Sequence, residues 1–254
     1  MNPPMIALLT DFGLRDSYAG VMKGVILGRC PRARVVDVCH GIPPQDVRAA
    51  ALCLRQSAPF FPDGTLFVAV VDPGVGSTRR VLWAKNRRHS FLAPDNGVLS
   101  WLEDAPRAYR SVENPSLRLK PASRTFHGRD VFAPAAAALA SGASPAILGP
   151  AVAPRARLKF PALKKLPGGR RRGDILATDH FGNAVTAIPA AAAKGRTIFF
   201  RGRALGPVRG HYAQVRAGEA LALIGSSGLL ELSVREGSFA HDFNAAPGDY
   251  AELG

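Results

Sequence analysis

The fold of the first half of this chain is decided by the stretch Met5-Ile6-Ala7-Leu8-Leu9-Thr10-Asp11-Phe12-Gly13. It is a short apolar run that ends in polar residues and a glycine, which is the pattern of a buried strand followed by a turn. Three more bounded runs rich in strand-forming residues follow it, at Val35–Val38, Leu66–Val71 and Val81–Ala84. We therefore predict that the chain begins with the strands of a buried sheet.

Two helices are predicted between the first three of these runs. Apolar residues recur at helical spacing after the first run, at Tyr18, Val21, Met22, Val25 and Ile26. The same spacing follows the second run behind Asp46, whose side chain suits an N-cap. The order strand, helix, strand, helix, strand predicts a mainly parallel sheet wrapped by helices, that is, an N-terminal α/β sandwich domain. A further helix is predicted over Val131–Leu139, with Asp130 as its N-cap.

The last third of the chain has a different pattern. Glycine-containing turns, with little room for helices, separate short apolar runs at Asp174–Ala177, Thr197–Phe200, Ala220–Ile224 and Leu229–Val234. This pattern predicts a small C-terminal antiparallel β-barrel domain. A basic segment rich in Pro and Gly lies between the two patterns and suits a domain boundary. We expect an N-terminal α/β domain over 1–160, a basic Pro/Gly linker over 161–172 and a C-terminal β-barrel domain over 173–254.

Length and composition exclude several classes of protein. The chain has 254 residues, 47% hydrophobic and 20% charged, which is close to the globular average and excludes a disordered or collagen-like chain. Its longest apolar stretches fall far short of the roughly 20 residues that a membrane helix needs. The N-terminal residues lack the features of a secretory signal, so we expect a cytoplasmic protein. The three cysteines form no CxxC pair and the histidines no HxxxH pair, so no metal site is predicted.

A formal net charge of +14 raises the alternative of a nucleic-acid-binding protein. Eight of the fourteen excess charges come from one segment without acidic residues, at Arg155, Arg157, Lys159, Lys164, Lys165, Arg170, Arg171 and Arg172. One basic segment rich in Pro and Gly is more typical of a solvated linker, although clustered charge alone is enough to bind phosphates. Nucleic acid is therefore the less favoured partner, and a basic nucleic-acid-binding protein without turnover stays an alternative.

Polar residues follow three of the predicted strands, where ligands bind in open parallel sheets. They are Thr10–Gly13 after the first run, Asp37 and His40 at the end of the second, and Asp72–Arg79 after the third. We expect them to belong to one site. Asp11 and Asp16 could accept hydrogen bonds from ribose hydroxyls or an ammonium group, but turn formation by Asp11 and helix capping by Asp16 explain them equally well.

The Asp72–Arg79 loop is the most informative of these stretches. Its two glycines and one proline favour a compact turn that could bring Arg79 back to Asp72, either as a functional pair or as a purely structural one. It is not a P-loop, because the GxxxxGK[ST] pattern is absent. His127, in Thr125-Phe126-His127-Gly128, adds a group that titrates near neutral pH. Together the three side chains are enough to orient and deprotonate a water molecule.

A second group of polar residues lies in the predicted barrel domain. Asp179-His180-Phe181-Gly182-Asn183 combines a carboxylate, an aromatic ring and an amide, as a purine site does. A plain Asx turn accounts for the same residues as well. Gly225-Ser226-Ser227-Gly228 is, by itself, no more than a hairpin turn.

These motifs, taken in order, resemble the S-adenosylmethionine hydroxide adenosyltransferase family, hydrolases related to the bacterial fluorinase and chlorinase. The resemblance runs nearly end to end, through Leu9–Gly13, Val36–His40, Phe60–Thr65, Val71–Gly76, Ala93–Gly97, Thr125–Asp130, Asp179–Asn183 and Gly225–Gly228. It implies an α/β domain followed by a β-barrel domain, and a homotrimer whose active sites lie between subunits. It also implies cleavage of S-adenosyl-L-methionine to adenosine and methionine, with no cofactor.

The resemblance implies a catalytic set of Asp72, Arg79 and His127. Halogenating relatives have a Tyr at the place of Asp72 and a small Ser pocket near the place of Gly128, so a hydrolase is expected. Water or hydroxide would attack the ribose 5′ carbon in line with the leaving sulfur. The sequence leaves open which of the three residues carries the proton. Halide-dependent adenosyl transfer of the chlorinase type stays an alternative.

The resemblance also implies substrate-binding residues. Asp11 matches the ribose-binding Asp and Asp16 the acid that holds the methionine amino group, with Phe12 and Tyr18 beside them. The methionine end is matched by Asp179 and Asn183, with Phe181 beside them. Ser226 and Ser227 match another substrate-contacting turn, with Ser227 at the place where the halogenating relatives have Arg. The ring of Tyr212 and the backbone near Glu236 are candidates for contacts to adenine. Gln45 departs from the halogenating relatives, which have a Trp there.

Overall fold

The computed structural model describes residues 3–254. Two compact units divide the chain, the first ending at Lys159 and the second beginning at Phe160. Within residues 3–254, no helix is long and apolar enough to cross a membrane.

The first unit contains one six-stranded sheet and three α-helices. In chain order these are β1 (Met5–Thr10), α1 (Tyr18–Arg29), β2 (Arg34–Cys39), α2 (Val47–Ser57), β3 (Leu66–Val70), β4 (Val81–Lys85), β5 (Ser90–Pro94), β6 (Ala108–Ser111) and α3 (Ala133–Ala140). The strand order is β2-β1-β3-β5-β4-β6. β2, β1, β3 and β5 pair in parallel, whereas β4 pairs antiparallel with β5 and β6. The predicted mainly parallel α/β domain is confirmed.

The helices of this unit begin for different local reasons. The Asp46 side chain accepts a 2.9 Å hydrogen bond from the Ala49 N–H, so the predicted N-cap of α2 is correct. The prediction that Asp130 caps the later helix is wrong, because a π-helical turn over Gly128–Phe132 precedes α3 and contains Asp130. Asp130 is fully buried there, and its carboxylate accepts hydrogen bonds from Arg129 and from the Ser123 N–H.

The second unit is an antiparallel barrel. Its elements are β7 (Lys164–Lys165), β8 (Arg171–Thr178), β9 (Ala184–Pro189), α4 (Ala190–Ala193), β10 (Thr197–Phe200), β11 (Arg203–Pro207), β12 (Ala220–Ile224), β13 (Leu229–Val234), α5 (Phe239–Asp242) and β14 (Tyr250–Leu253). The main path is β11-β10-β14-β8-β9-β13-β12. A bridge between Arg209, just after β11, and Leu223 of β12 links the two ends of this path. The barrel is thus nearly closed around a core that includes Phe200, Leu232 and Phe239, as the sequence predicted.

Part of the basic segment is paired with the barrel. β7 lies within the predicted linker 161–172 and pairs with the start of β8, Lys164 opposite Arg172 and Lys165 opposite Arg171. Lys164 Nζ is 3.3 Å from Asp174 Oδ2, and Arg170 Nη1 is 3.1 Å from Glu252 Oε2. The Arg172 guanidinium lies 4.4 Å from the centre of the Tyr250 ring. Several of these positive charges therefore contact groups of the barrel itself.

Candidate active site

The loop after β3 folds back on itself between Asp72 and Arg79. The Ser77 side chain holds this turn by donating to the Gly74 carbonyl (2.7 Å) and accepting from the Arg79 N–H (3.2 Å). Gly76 has φ +80°, and a Cβ there would lie 2.5 Å from the Arg124 carbonyl oxygen. Glycine is required on both counts, because an L side chain would be strained and would collide with the backbone. This close approach brings the loop against the segment that leads to His127.

Asp72, Arg79 and His127 form a continuous chain of polar contacts. Arg79 donates from Nε to Asp72 Oδ1 (2.9 Å), and its Nη2 also contacts Asp72 Oδ2. The same Nη2 lies 2.8 Å from His127 Nδ1. The Asp72 and Arg79 side chains are only 6% and 12% exposed, so their pairing is largely removed from water. The fold thus brings together three residues that the sequence separates by up to 55 positions.

The contact with Arg79 determines the protonation state of His127. A guanidinium can only donate hydrogen bonds, so His127 Nδ1 must accept, and the neutral ring then carries its proton on Nε2. Burial, followed by the positive charge of Arg79, lowers the pKa of His127 below its ordinary value of 6.5. Both arguments favour a neutral His127 at neutral pH.

The π-helical turn sets the position of His127 at the start of the helical segment. Such turns are rare and recur at functional sites. A Cβ on Gly128 would lie 3.0 Å from Met22 Sδ and within 3.3 Å of the rings of Phe126 and Phe12. A larger residue at 128 would therefore press on these neighbours, and glycine lets the turn pack closely against them.

A cavity of about 300 Å³ opens beside this chain of contacts, and we call it the aromatic cavity. Its lining includes Asp11, Phe12, Tyr18, Gln45, Asp72, Phe126, His127 and Gly128. The rings of Phe12, Tyr18 and Phe126 lie 5.0 to 5.9 Å apart, with tilted or edge-on geometry. Tyr18 is nevertheless 47% exposed, so part of this aromatic surface is open to a ligand. The cavity suits a molecule with an apolar or cationic centre that must lie next to a carboxylate.

The other sequence-predicted residues of this unit divide into two groups. Asp11 lines the aromatic cavity and accepts a 2.8 Å hydrogen bond from the Gln45 N–H, which holds Gln45 at φ +65°. Asp16 is exposed and outside the residues that line the cavity, and the N-cap of α1 is Ser17 rather than Asp16. His40 is buried and its Nδ1 lies 2.8 Å from Thr10 Oγ1, so it links the ends of β1 and β2.

In the second unit, the Asp179 turn is an Asx turn. Asp179 Oδ1 accepts from the N–H groups of Phe181 (2.9 Å) and Asn183 (2.8 Å), and Oδ2 accepts from Asn183 Nδ2 (2.9 Å). Asn183 is buried, whereas Phe181 is 73% exposed. The turn therefore presents an aromatic ring on a rigid base, and the Asp179 carboxylate is already engaged in holding that base.

Tyr212 has a partner that the sequence analysis missed. Its hydroxyl donates to Glu231 Oε1 (2.6 Å), which also accepts from Ser233 Oγ (3.1 Å). Burial, then the bond to Glu231, raises the pKa of Tyr212 to about 12. A signal was present, because Glu231 and Ser233 alternate with Leu230 and Leu232 along β13, so they share one face of the strand.

The remaining predicted residues of this unit lie in separate turns. Ser226 and Ser227 form the tip of the β12–β13 hairpin, which Gly225 and Leu229 close with a 2.9 Å hydrogen bond. Glu236 is exposed at the far end of β13, in a turn where its φ is +57°. The Asp179 turn lies at this same end, because Ala184 pairs with Leu232. The structure thus groups Asp179 and Glu236 at one end of β13 and places the two serines at the other.

The architecture and site define the class of protein. Residues 6–149 match the model of the SAM hydroxide adenosyltransferase N-terminal domain, and residues 173–252 match that of the C-terminal domain. The chain belongs to the SAM hydroxide adenosyltransferase family, and the resemblance seen in the sequence is confirmed.

Individual relatives are similar over most of their length. An (R)-S-adenosyl-L-methionine hydrolase of Thermus thermophilus is 44% identical over 243 residues, covering 92% of each chain. A fluorinase of Actinopolyspora mzabensis is more distant, at 27% identity over 96% of this chain and 95% of its own. A crystal structure of an uncharacterised conserved protein from Thermotoga maritima matches with a TM-score of 0.91 at 33% identity, covering 98% of this chain and 99% of the other.

Proposed function

We propose that this chain is an enzyme that hydrolyses S-adenosyl-L-methionine to adenosine and L-methionine. The observation that carries the proposal is the contact chain Asp72–Arg79–His127 beside the aromatic cavity. The 44% identity to a protein named as such a hydrolase supports the same reaction. The lower identity to a fluorinase makes halogenation the weaker alternative.

The reaction follows from the chemistry of the sulfonium. The water oxygen forms a bond to the ribose 5′ carbon while the carbon–sulfur bond breaks, and that electron pair leaves with sulfur as a neutral thioether. One water proton is taken by the Asp72 carboxylate and then passes to solvent. Because the leaving group is already activated, we propose that no metal or redox cofactor takes part. A positioned, partly desolvated water is the main requirement.

Each of the three residues has a distinct role in this proposal. Asp72 is the base, because it is the anionic acceptor of the three. Arg79 orients the Asp72 carboxylate and donates to His127, and it stays charged throughout. His127 is a positioning residue, since its neutral Nδ1 is engaged by Arg79 rather than free to take a proton from water.

The name of the hydrolase relatives suggests which substrate epimer is used. The label (R) in that name cannot describe the amino acid, which is already designated L, or the ribose, which is designated adenosyl. The sulfonium is the remaining stereocentre, and we propose that this chain acts on the R epimer. Incubation with each sulfonium epimer tests this, and equal rates with both would contradict it.

We also propose that the active form is a cytoplasmic homotrimer with sites between subunits. The proposed substrate-binding residues divide between the two units, with Asp11, Phe12, Asp16 and Tyr18 in the first and Asp179, Phe181, Asn183, Tyr212, Ser226, Ser227 and Glu236 in the second. Assembly of a site from two chains is what the resemblance implies. Nucleic acid is not a proposed partner, since part of the basic segment pairs with acidic groups of the barrel.

The test of the proposed function is identification of the nucleoside product. Purified protein is incubated with S-adenosyl-L-methionine in the presence and absence of chloride, and the products are separated and identified by mass spectrometry. Adenosine and methionine are expected in both cases. A 5′-chlorinated nucleoside formed in chloride would favour halogenation, and no turnover together with salt-sensitive nucleic-acid binding would favour the binding-protein alternative.

A further inference from the structure

A second cavity, of about 280 Å³, lies next to the aromatic cavity and shares His127 with it. We call it the arginine cavity, because Arg79, Arg80 and Arg118 line it together with Ser111, Glu113 and His127. Its lining is more polar and more basic than that of the aromatic cavity. The proposed hydrolysis uses Arg79 and His127 but leaves the rest of this lining without a role.

Two buried donors at this cavity lack a partner. The Ser111 hydroxyl and Arg118 Nε are both buried and form no hydrogen bond with any group in residues 3–254. Ser111 is only 1% exposed. Its backbone N–H donates to the Pro150 carbonyl (3.0 Å), so the side-chain hydroxyl is the group that lacks a hydrogen-bond partner. Buried donors are nearly always satisfied in native proteins. Both atoms expose almost no surface, so an acceptor bound in the cavity would satisfy them after a local shift of the two side chains.

The charge of the lining favours a negatively charged acceptor. Arg79 is paired with Asp72, and Arg80 is paired with Asp95 at 2.6 Å. Arg118 makes no ion pair within 4 Å among the described residues, and Glu113, the carboxylate of the lining, is exposed. The positive charge of Arg118 therefore has no carboxylate paired with it, and Arg118 belongs to the same cavity lining as the unpartnered Ser111 hydroxyl. A guanidinium fork and a hydroxyl are groups that bind phosphoryl oxygens.

We propose that the arginine cavity is a binding site for a small oxoanion, held by Arg118 and Ser111 beside the catalytic set. The ligand class is inorganic phosphate or a similarly small tetrahedral anion. The site stands on its own lining and does not depend on the reaction proposed above. An anion bound there would lie next to His127, so it provides a route by which such an ion could influence the catalytic set.

The experiment is calorimetric titration of the full-length protein with inorganic phosphate. We expect millimolar affinity, and a loss of about tenfold or more in Arg118→Gln, because a charge-assisted bond is removed. Ser111→Ala should weaken binding by a smaller factor. Glu113→Gln should strengthen it, because the variant removes a nearby negative charge. The matched control is Arg32→Gln, which removes one positive charge from an exposed position of the same unit.

Four outcomes would overturn the proposal. They are the absence of measurable phosphate binding to the wild type, an unchanged affinity in Arg118→Gln, an equal loss in the Arg32→Gln control, and weaker binding in Glu113→Gln. Folding of each variant is checked by circular dichroism, and Glu113→Gln, at an exposed position, keeps the test decisive if Arg118→Gln is unstable. Because the readout is binding alone, a failure of the proposed hydrolysis would leave this result unaffected.

Discussion

Arg79 can only donate hydrogen bonds, and this fixes what its two neighbours can do. Asp72 accepts from it through Oδ1 and contacts it through Oδ2, yet a carboxylate has lone pairs left for a water molecule. Asp72→Asn removes the base while keeping the shape. We therefore expect kcat to fall by roughly 10² to 10⁴, with little change in KM. Steady-state assay of adenosine formation measures this.

The control for this substitution is Asp63→Asn. The Asp63 side chain is 73% exposed and paired with Arg88, so its loss should leave kcat close to that of the wild type. Full turnover by Asp72→Asn would show that Asp72 is not the base.

His127 gives the activity a pH dependence of known sign. Its pKa is lowered by burial and then by Arg79 and Arg118, while the charges of Asp72 and Asp130 act in the opposite direction. We expect kcat to be constant above the ordinary value of 6.5 and to fall as the pH drops through the lowered pKa, because a protonated ring cannot accept from Arg79. The same shift makes the folded state bind fewer protons than the unfolded state, so stability also decreases as the pH falls below 6.5.

The pH prediction is checked by the kcat profile together with NMR titration of the His127 ring. His241→Gln is the control, because the His241 side chain is 87% exposed. A His127 pKa above 6.5, or a kcat that rises on acidification, would contradict the assignment.

At the scale of the element, the loop between β3 and β4 depends on Gly76. Gly76→Ala should reduce both kcat and the melting temperature, because the new Cβ meets the Arg124 carbonyl at a positive φ. Gly24→Ala in α1 is the matched control, since its Cβ would enter open space. That control should raise stability by up to about 1 kcal/mol and leave kcat unchanged. Equal melting temperatures for the two variants would mean that the loop adapts to a side chain.

The elements also illustrate what a sequence can reveal by itself. β1, β3 and α2 were predictable because each carries its own signal, an apolar run or helical spacing with an N-cap. The antiparallel pairing of β4 with β5 and β6 was not predictable, because the direction of pairing depends on distant partners rather than on the strand's own residues. The π-helical turn that contains the buried Asp130 was missed for a similar reason, since no local sequence pattern reveals the hydrogen bonds that Asp130 accepts from Ser123 and Arg129.

In the candidate site too, some features were predictable from the sequence and others depend on contacts between distant residues. The sequence suggested Asp72, Arg79 and His127 as residue types that work together, and the fold supplies the contacts between them. No sequence motif identified Glu231 as the partner of Tyr212. Nor did any motif indicate that Arg118 and Ser111 line the same cavity, because such relations arise only in the folded chain. The roles in substrate binding stay predictions for experiment.

At the scale of the whole molecule, the proposed trimer predicts complementation. Inactive Asp72→Asn chains and inactive Asn183→Ala chains are unfolded together and reassembled. If each site takes residues from two chains, some interfaces receive two intact halves, and part of the activity returns. Mixed oligomers that form without recovering any activity would place each complete site within a single chain.

The central claim is that the nucleophile is water, and isotope labelling tests it most directly. The reaction is run to completion in oxygen-18 water, and the adenosine product is examined by mass spectrometry with fragmentation at the ribose. Attack on the 5′ carbon predicts one oxygen-18 atom in the 5′ hydroxyl and none in methionine. Adenosine that carries only oxygen-16 at this position would contradict the account.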